Sequence, residues 1–126
     1  MIVLDTNVVS EPLKPQPEPR VGRWMQSVPE ERLHLTATVV AEIGQGIAML
    51  PPGRRRIQLQ DALDLMIAEE YPGRVLPFDL DAARVFALVI ERRTALGKPI
   101  CAEDAQIAAV CLMHDATLAT RNTRDF

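Results

Sequence analysis

Five side chains in this sequence have types and positions that suit the hydrolysis of a phosphate ester. They are three separate carboxylates and a late amide–carboxylate pair: Asp5, Glu42, Asp104, Asn122 and Asp125. Carboxylates that crowd together repel one another and raise each other's pKa values unless a cation lies among them. Mg²⁺ and Mn²⁺ prefer carboxylate and water oxygens, and no Lys or His is well placed here to do the neutralising. Because a bound divalent ion can activate water and stabilise an in-line phosphoryl displacement, these residues indicate phosphodiester hydrolysis.

The elements that would position these side chains alternate along the chain. Short strands are predicted at residues 2–5, 33–36, 74–77 and 117–120. Apolar residues at helical spacing, ended by Pro or Gly, predict helices at residues 19–25, 38–50, 54–71 and 102–114, and one more that Asp79 or Asp81 caps and that ends near Gly97. No hairpin-type turn joins two strands. The pattern therefore predicts an α/β fold around a parallel sheet.

A parallel sheet would bring the acidic residues together, because ligands bind outside the carboxyl ends of its strands. Asp5 closes the first strand, and Glu42 lies about one turn into the helix after the second strand. Asp104 opens the helix that leads into the last strand, and Asn122 and Asp125 follow that strand. We therefore expect all of them at one edge of the sheet.

Each acid also has a structural explanation that needs no function. Asp5 could cap the short helix that follows it, and Glu42 could be a solvated helix residue. Asp104 could merely complement the dipole of its helix. The rest of that helix favours the functional interpretation, because it is apolar on every face. A charged residue at the N-terminus of a buried helix is expected only where the charge has a role.

Composition narrows the class of protein. The chain has 126 residues, with 14 Lys and Arg against 17 Asp and Glu, for a formal net charge of -3. That length predicts one domain, and that charge excludes a broad basic RNA-binding face. No apolar run approaches a membrane span and no secretory signal opens the chain, so a cytoplasmic protein is expected. Cys101 and Cys111 are predicted to be small buried thiols.

Five stretches of the chain, in order, carry a family resemblance: MIVLDTNVVSE at residues 1–11, AE at 41–42 with GI at 46–47, PGRRR at 52–56, DAQIAA at 104–109 and LATRNTRDF at 118–126. With these, the sequence resembles the PIN-domain ribonucleases, specifically the VapC/FitB-type toxins of bacterial toxin–antitoxin pairs. The resemblance covers residues 1–126. It implies a single domain with a three-layer α/β/α PIN-like fold and a mainly parallel sheet of four to five short strands. Relatives usually continue into one more strand, so this domain is expected to lack the last one.

The resemblance also implies roles for individual residues. Asp5, Glu42 and Asp104 would form the acidic triad that binds Mg²⁺ or Mn²⁺. Many relatives carry an acid at a fourth catalytic position, where this sequence has Asn122, with Asp125 three residues later. Whether Asn122 or Asp125 completes the site is left open.

Further residues are candidates for contact with the substrate. Thr6 and Asn7 resemble residues that orient the first aspartate or touch the scissile phosphate. Arg121 and Arg124 flank Asn122, and one of them is a candidate contact to an RNA phosphate. Asp125 is a candidate for an indirect contribution to the same site.

The implied partners are those of a toxin. They are an RNA substrate, a second copy of the chain in a homodimer, and a VapB-type antitoxin whose tail blocks the metal pocket. Helices between residues 20 and 70 would form the antitoxin groove. DNA would be reached only through the antitoxin, and no membrane is involved.

The function predicted from the sequence is therefore a Mg²⁺- or Mn²⁺-dependent endoribonuclease toxin. The alternative is a catalytically weakened metal-binding or protein-interaction module, because Asn122 replaces an acid and the tail is short. A phosphotransfer enzyme of the haloacid-dehalogenase kind also places an Asp after its first strand. That class needs a second Asp two residues on, where this chain has Asn7.

Overall fold

Four strands, six α-helices and two short 3-10 helices, Glu11–Leu13 and Glu30–Arg32, make up the fold, which a computed structural model describes for residues 1–126. The strands are β1 (Ile2–Leu4), β2 (Leu33–Thr36), β3 (Val75–Leu76) and β4 (Thr117–Ala119). The α-helices are α1 (Thr6–Val9), α2 (Pro19–Ser27), α3 (Ala37–Ala48), α4 (Arg54–Glu70), α5 (Leu80–Ala95) and α6 (Ala102–Met113). The order of these elements confirms the predicted alternation of strands and helices.

The four strands form one sheet in the order β3-β2-β1-β4, and every pair is parallel. The register places Ile2 opposite both Leu33 and Thr117. All three residues of β1 are buried, as expected for a central strand covered on both faces. The sheet and its six flanking helices confirm the predicted α/β fold, and the carboxyl ends of all strands lie at one edge.

The core is a cluster of buried apolar side chains that joins the sheet to its helices. On α3, Val39, Ile43 and Ile47 are buried at steps of four, which confirms the predicted helical stripe. Ile107 brings α6 into the same cluster and is fully buried. The helices that carry Glu42 and Asp104 are therefore anchored directly to the core.

Local hydrogen bonds explain where the helices begin and end. The Thr36 hydroxyl accepts the Val39 N–H at 3.1 Å, so α3 begins one residue before the predicted Thr38. Asp79, and not Asp81, caps α5, because its carboxylate accepts the Ala82 N–H at 3.0 Å. After α5, Gly97 has φ +69°, a left-handed conformation that glycine adopts at little cost.

Two expectations about solvent exposure are wrong in part. Cys111 is buried, but Cys101 is exposed, because it precedes the first turn of α6 at the edge of the sheet. The helix α6 is not buried on every face, since Leu112 is 65% exposed. Leu112 lines a shallow apolar groove with Leu96 and Phe126 that stays open to solvent.

No helix of this structure combines the length and the apolar composition that a membrane crossing requires.

Candidate active site

Asp5 is held at the carboxyl end of β1 by hydrogen bonds from three directions. Its backbone N–H donates to the Ala119 carbonyl at 2.9 Å, which continues the pairing of β1 with β4. Its Oδ1 accepts the Thr6 N–H at 2.8 Å, and its Oδ2 accepts the Thr120 hydroxyl at 2.7 Å. The residue is 5% exposed. Asp5 does cap α1, and the same contacts also fix its carboxylate in one orientation.

Glu42 is joined to Asp5 through a single intervening residue. The Thr6 hydroxyl donates to Glu42 Oε1 at 2.9 Å, while the Thr6 N–H binds Asp5. Burial raises the pKa of Glu42 above its usual value, and the hydrogen bond from Thr6 partly opposes that increase. The negative charges of Asp5 and Asp104 raise the pKa of Glu42 further. These acids therefore lie near enough to repel one another.

Asp104 stands in the first turn of α6 and is half-buried. Burial is the main cause that raises the pKa of Asp104, and a hydrogen bond with Cys101 partly opposes it. The charges of Asp5, Asp125 and Glu103 raise the pKa of Asp104 as well. No Lys or Arg is among the groups that shift the pKa of Glu42 or of Asp104. Every ion pair of the molecule involves Glu11 or Glu18 instead.

The donor set fits a hard divalent cation. Its members offer carboxylate oxygens only, and they lack a cationic side chain to offset their charge. The side chains do not form a ready-made cage, since no group of three or more His, Cys, Asp or Glu residues is spaced to hold an ion. The chemistry of the donors therefore suits Mg²⁺ or Mn²⁺; Mg²⁺ usually keeps several waters as ligands.

The segment after β4 completes this edge of the sheet. The Asn122 N–H donates to the Thr120 hydroxyl oxygen at 2.9 Å, and Asn122 Nδ2 donates to Asp125 Oδ2 at 2.6 Å. The Arg121 N–H donates to Asn7 Oδ1 at 3.0 Å. Asn122 and Asp125 are therefore directly paired, and both belong to the segment that contacts α1.

Arg121 has a fixed intramolecular partner. Its Nη1 donates to Glu11 Oε2 at 2.8 Å, although the Arg121 side chain remains 45% exposed. Of the residues predicted from the sequence, the structure thus brings Asp5, Thr6 and Glu42 into one hydrogen-bonded chain. It places Asn7 and Arg121 beside that chain.

Two participants were absent from the sequence-based candidates. Thr120 was seen only as the end of a strand, yet its hydroxyl binds Asp5. The rule that selected Asp5, a polar residue at the carboxyl end of a strand, would also have selected Thr120. Glu11 belongs to the first matching stretch, residues 1–11, but the sequence assigns it no role. Its partners include Glu18 and Arg121, which lie 7 and 110 residues away, so no local pattern reveals them.

Comparison with known proteins identifies the family. A profile of the PIN domain matches residues 2–126. The chain belongs to the PIN-domain family.

Named relatives of this PIN-domain chain are similar over its whole length. Toxin FitB from Neisseria gonorrhoeae is 43% identical over 126 residues, which cover 100% of this chain and 91% of that protein. VapC ribonuclease Y4jK from Sinorhizobium fredii is also 43% identical over 126 residues, covering 100% of this chain and 90% of that protein. The predicted resemblance to VapC/FitB-type proteins is confirmed.

Solved structures agree with the sequence relatives. The structure of FitAB bound to an IR36 DNA fragment has a TM-score of 0.92 and 42% identity, covering 100% of this chain and 88% of that chain. VapBC-5 from Mycobacterium tuberculosis, a member of the VapBC family of toxin–antitoxin systems, has a TM-score of 0.70 and 27% identity over 98% of this chain and 86% of its own. The structural neighbours are thus toxin–antitoxin complexes, and several of them are bound to DNA.

Proposed function

We propose that this PIN-domain protein is a Mg²⁺- or Mn²⁺-dependent endoribonuclease and the toxin of a toxin–antitoxin pair. The observation that carries the proposal is the meeting of Asp5, Glu42 and Asp104 at the carboxyl edge of the sheet without a cationic side chain. A relative that is 43% identical and named VapC ribonuclease supports the same activity.

In this proposal Asp5, Glu42 and Asp104 hold the divalent ion, and Asn122 is the fourth residue of the catalytic site. The ion, when bound, lowers the pKa of its water and offsets charge on the scissile phosphate. The protein's own contribution is orientation. Thr6 links the carboxylates of Asp5 and Glu42, so neither can turn without breaking a hydrogen bond.

We propose that Thr6, Asn7, Arg121 and Asp125 line the path of the RNA strand. Asn7 Oδ1 accepts the Arg121 N–H, which orients the amide and leaves Asn7 Nδ2 as a donor for a phosphate oxygen. Asp125 accepts from Asn122 Nδ2, which leaves Asn122 Oδ1 as an acceptor for water. These contacts would position the substrate, whereas the acids would position the ion.

We propose that a VapB-type antitoxin and a second copy of the chain are the protein partners. A partly apolar groove beside the site is lined by Val8, Val21, Trp24 and Leu118, with the charged residues Glu18, Arg20 and Arg121 among its other lining residues, and Trp24 is 38% exposed. Such a groove suits the apolar segment of a partner protein. DNA would be bound only through the antitoxin. The cytoplasm is the proposed location, and a single domain over residues 1–126 stays a prediction.

The proposed activity is tested by incubating the purified protein with total bacterial RNA and mapping the cleavage sites. Cleavage is expected with Mg²⁺ or Mn²⁺ and is expected to stop with EDTA. Asp5→Asn and Asp104→Asn keep the side-chain shape but remove a charge, and both should abolish cleavage. Asp61→Asn is the matched control on the exposed surface of α4 and should cleave like the wild type. Equal cleavage by all four proteins, or cleavage that resists EDTA, would contradict the proposal.

The presence of Asn122 favours one second candidate function, a metal-binding module with weakened catalysis. Calorimetric titration with Mn²⁺ separates the two functions. If the wild type binds Mn²⁺ without cleaving RNA, and Asn122→Asp cleaves, the weakened module is supported. If the wild type cleaves and Asn122→Asp changes the rate only modestly, the nuclease is supported.

A further inference from the structure

Glu11 is a buried acid that the proposed chemistry does not use. It follows α1, and its side chain is only 5% exposed. Its Oε1 accepts the Glu18 N–H at 2.9 Å, and its Oε2 contacts Lys14 Nζ and Arg121 Nη1, each at 2.8 Å. A carboxylate taken out of water is costly unless it is paired and hydrogen-bonded, and Glu11 has three partners. The hydrogen bond from Lys14, that from the Glu18 N–H and the nearby Arg121 charge all hold the pKa of Glu11 below its usual value.

The contact between Glu11 and Arg121 is the last of a series that ties residues 119–121 to residues 5–11. Four hydrogen bonds cross between the two segments, joining Ala119 to Asp5, Thr120 to Asp5, Arg121 to Asn7 and Arg121 to Glu11. The first three are made by backbone groups or short side chains. Only the fourth is an ion pair, and it is also the farthest from the sheet.

The position of this ion pair matters more than its strength. An exposed ion pair contributes little to stability, because solvent screens it and long side chains lose entropy. Here one partner is enclosed, and the other lies between Thr120, which binds Asp5, and Asn122. Without the pair, the residues directly after β4 would be attached to residues 5–11 through Thr120 and the Arg121 backbone alone. The bond from Arg93 Nη1 to the Asp125 carbonyl, at 2.9 Å, would hold only the far end of the segment, so Asn122 could shift relative to Thr120.

We infer that Glu11 and Arg121 are positioning residues, which hold Thr120 and Asn122 against Asp5. This inference deepens the proposed nuclease function and rests on it. It adds a positioning role to the proposed place of Arg121 beside the RNA strand, because Arg121 Nη1 is bound by Glu11 while the side chain remains 45% exposed.

The test compares Glu11→Gln, Arg121→Gln and the double variant with the wild type. Gln at position 11 keeps an acceptor for the Glu18 N–H, and it removes both the charge and the second acceptor oxygen, which Lys14 and Arg121 share. The substrate is an RNA oligonucleotide that spans a cleavage site mapped in total RNA. Because misplacement by about 1 Å can slow catalysis 100-fold, each single variant should lower kcat by about 10- to 100-fold with little change in KM. The double variant should be no slower than either single variant, since both remove one contact. Arg121→Lys, which keeps the charge, should recover part of the rate.

Lys14→Gln is the matched control, because Lys14 binds the same Glu11 oxygen but is not connected to the segment after β4. It should cleave like the wild type. A different set of results is expected if Arg121 serves only to bind RNA directly. Arg121→Gln then raises KM and lowers by about one the slope of the logarithm of the RNA-binding constant against the logarithm of the salt concentration, while Glu11→Gln leaves KM and kcat unchanged. That outcome overturns the inference.

Amide hydrogen exchange supplies a readout that does not depend on catalysis. Exchange at Arg121 and Asn122 should become about tenfold faster in Glu11→Gln and in Arg121→Gln, and should not change in Lys14→Gln. If the wild type fails to cleave RNA, the proposed function fails, and exchange still decides the positioning role. If Glu11→Gln does not fold, the test rests on Arg121→Gln and Arg121→Lys, because the Arg121 side chain is half-exposed and its replacement leaves no buried cavity. Unchanged exchange in Arg121→Gln refutes the inference.

Discussion

Replacing Thr120 by Val removes one hydroxyl and leaves a side chain of nearly the same shape. That hydroxyl donates to Asp5 Oδ2 at 2.7 Å and accepts the Asn122 N–H at 2.9 Å. The substitution therefore breaks the shortest link between the first strand and the segment after the last strand. It leaves a buried carboxylate and a backbone N–H each without one partner.

The size of the effect follows from these two bonds. A hydrogen bond to a charged group contributes about 1.5–3 kcal/mol, and a neutral one about 0.5–1.5 kcal/mol. Thr120 is half-buried, so water replaces part of the loss, and we expect a net destabilisation of about 2 kcal/mol. At roughly 4 °C per kcal/mol for a domain of this size, Tm should fall by about 8 °C.

Thermal unfolding followed by circular dichroism measures this change. Thr123→Val is the matched control, because Thr123 is exposed and lies three residues away on the same segment. Its Tm should stay within about 2 °C of the wild type, as for other surface substitutions. RNA cleavage by Thr120→Val should also fall, since Asp5 loses one of its two side-chain contacts. If both variants melt and cleave alike, the hydroxyl does not hold Asp5 and the reasoning is refuted.

Three further predictions follow from the fold and the acids. Asp104→Asn should raise the Tm of the metal-free protein at pH 7, because the charged form of Asp104 is disfavoured in the folded state. The pKa of Asp104 is raised from 3.8 by folding, so the gain should be much smaller near pH 3.5, where the carboxyl is mostly protonated in the folded and in the unfolded chain. Calorimetry at the two pH values checks this, and an equal gain at both would contradict it. Leu35→Ala should lower the free energy of unfolding in urea by about 3 kcal/mol, because Leu35 is fully buried and leaves a cavity; a loss under 1 kcal/mol would mean that the site collapses freely. Asp79→Ala should lower the free energy of unfolding by about 1 kcal/mol through loss of the α5 cap, whereas Asp81→Ala should lower it by only a few tenths of a kcal/mol. Urea unfolding of both variants measures the difference, and equal losses would show that Asp79 does not cap the helix.

Much of the fold was predictable because its pattern is local. The strand β1 consists of three apolar residues, and such a short run is stable only when both faces are covered. The stripe of Val39, Ile43 and Ile47 on α3 identified the helix and the face that enters the core. The parallel alternation then placed Asp5, Glu42 and Asp104 at one edge before any contact was known.

The boundaries of the elements depended on single hydrogen bonds that the pattern did not resolve. Asp79 and Asp81 were equally good caps until the Asp79 carboxylate was found on the Ala82 N–H. Cys101 was expected to be buried, because thiols usually are, but it lies before the first turn of α6 and faces solvent. Exposure at a helix terminus depends on what packs beside it, and that is set by distant parts of the chain.

The sequence by itself determined the fold class and the family and supplied the candidate acids, because each follows from residue types at fixed local spacing. Only the tertiary structure decided which groups hold those acids in place. Thr120 is 115 residues from Asp5, and Arg121 is 110 residues from Glu11, yet each pair is in contact. The physical reason is the pairing of β1 with β4, which joins the two ends of the chain and converts an unremarkable Thr, Arg and Glu into the support of the site.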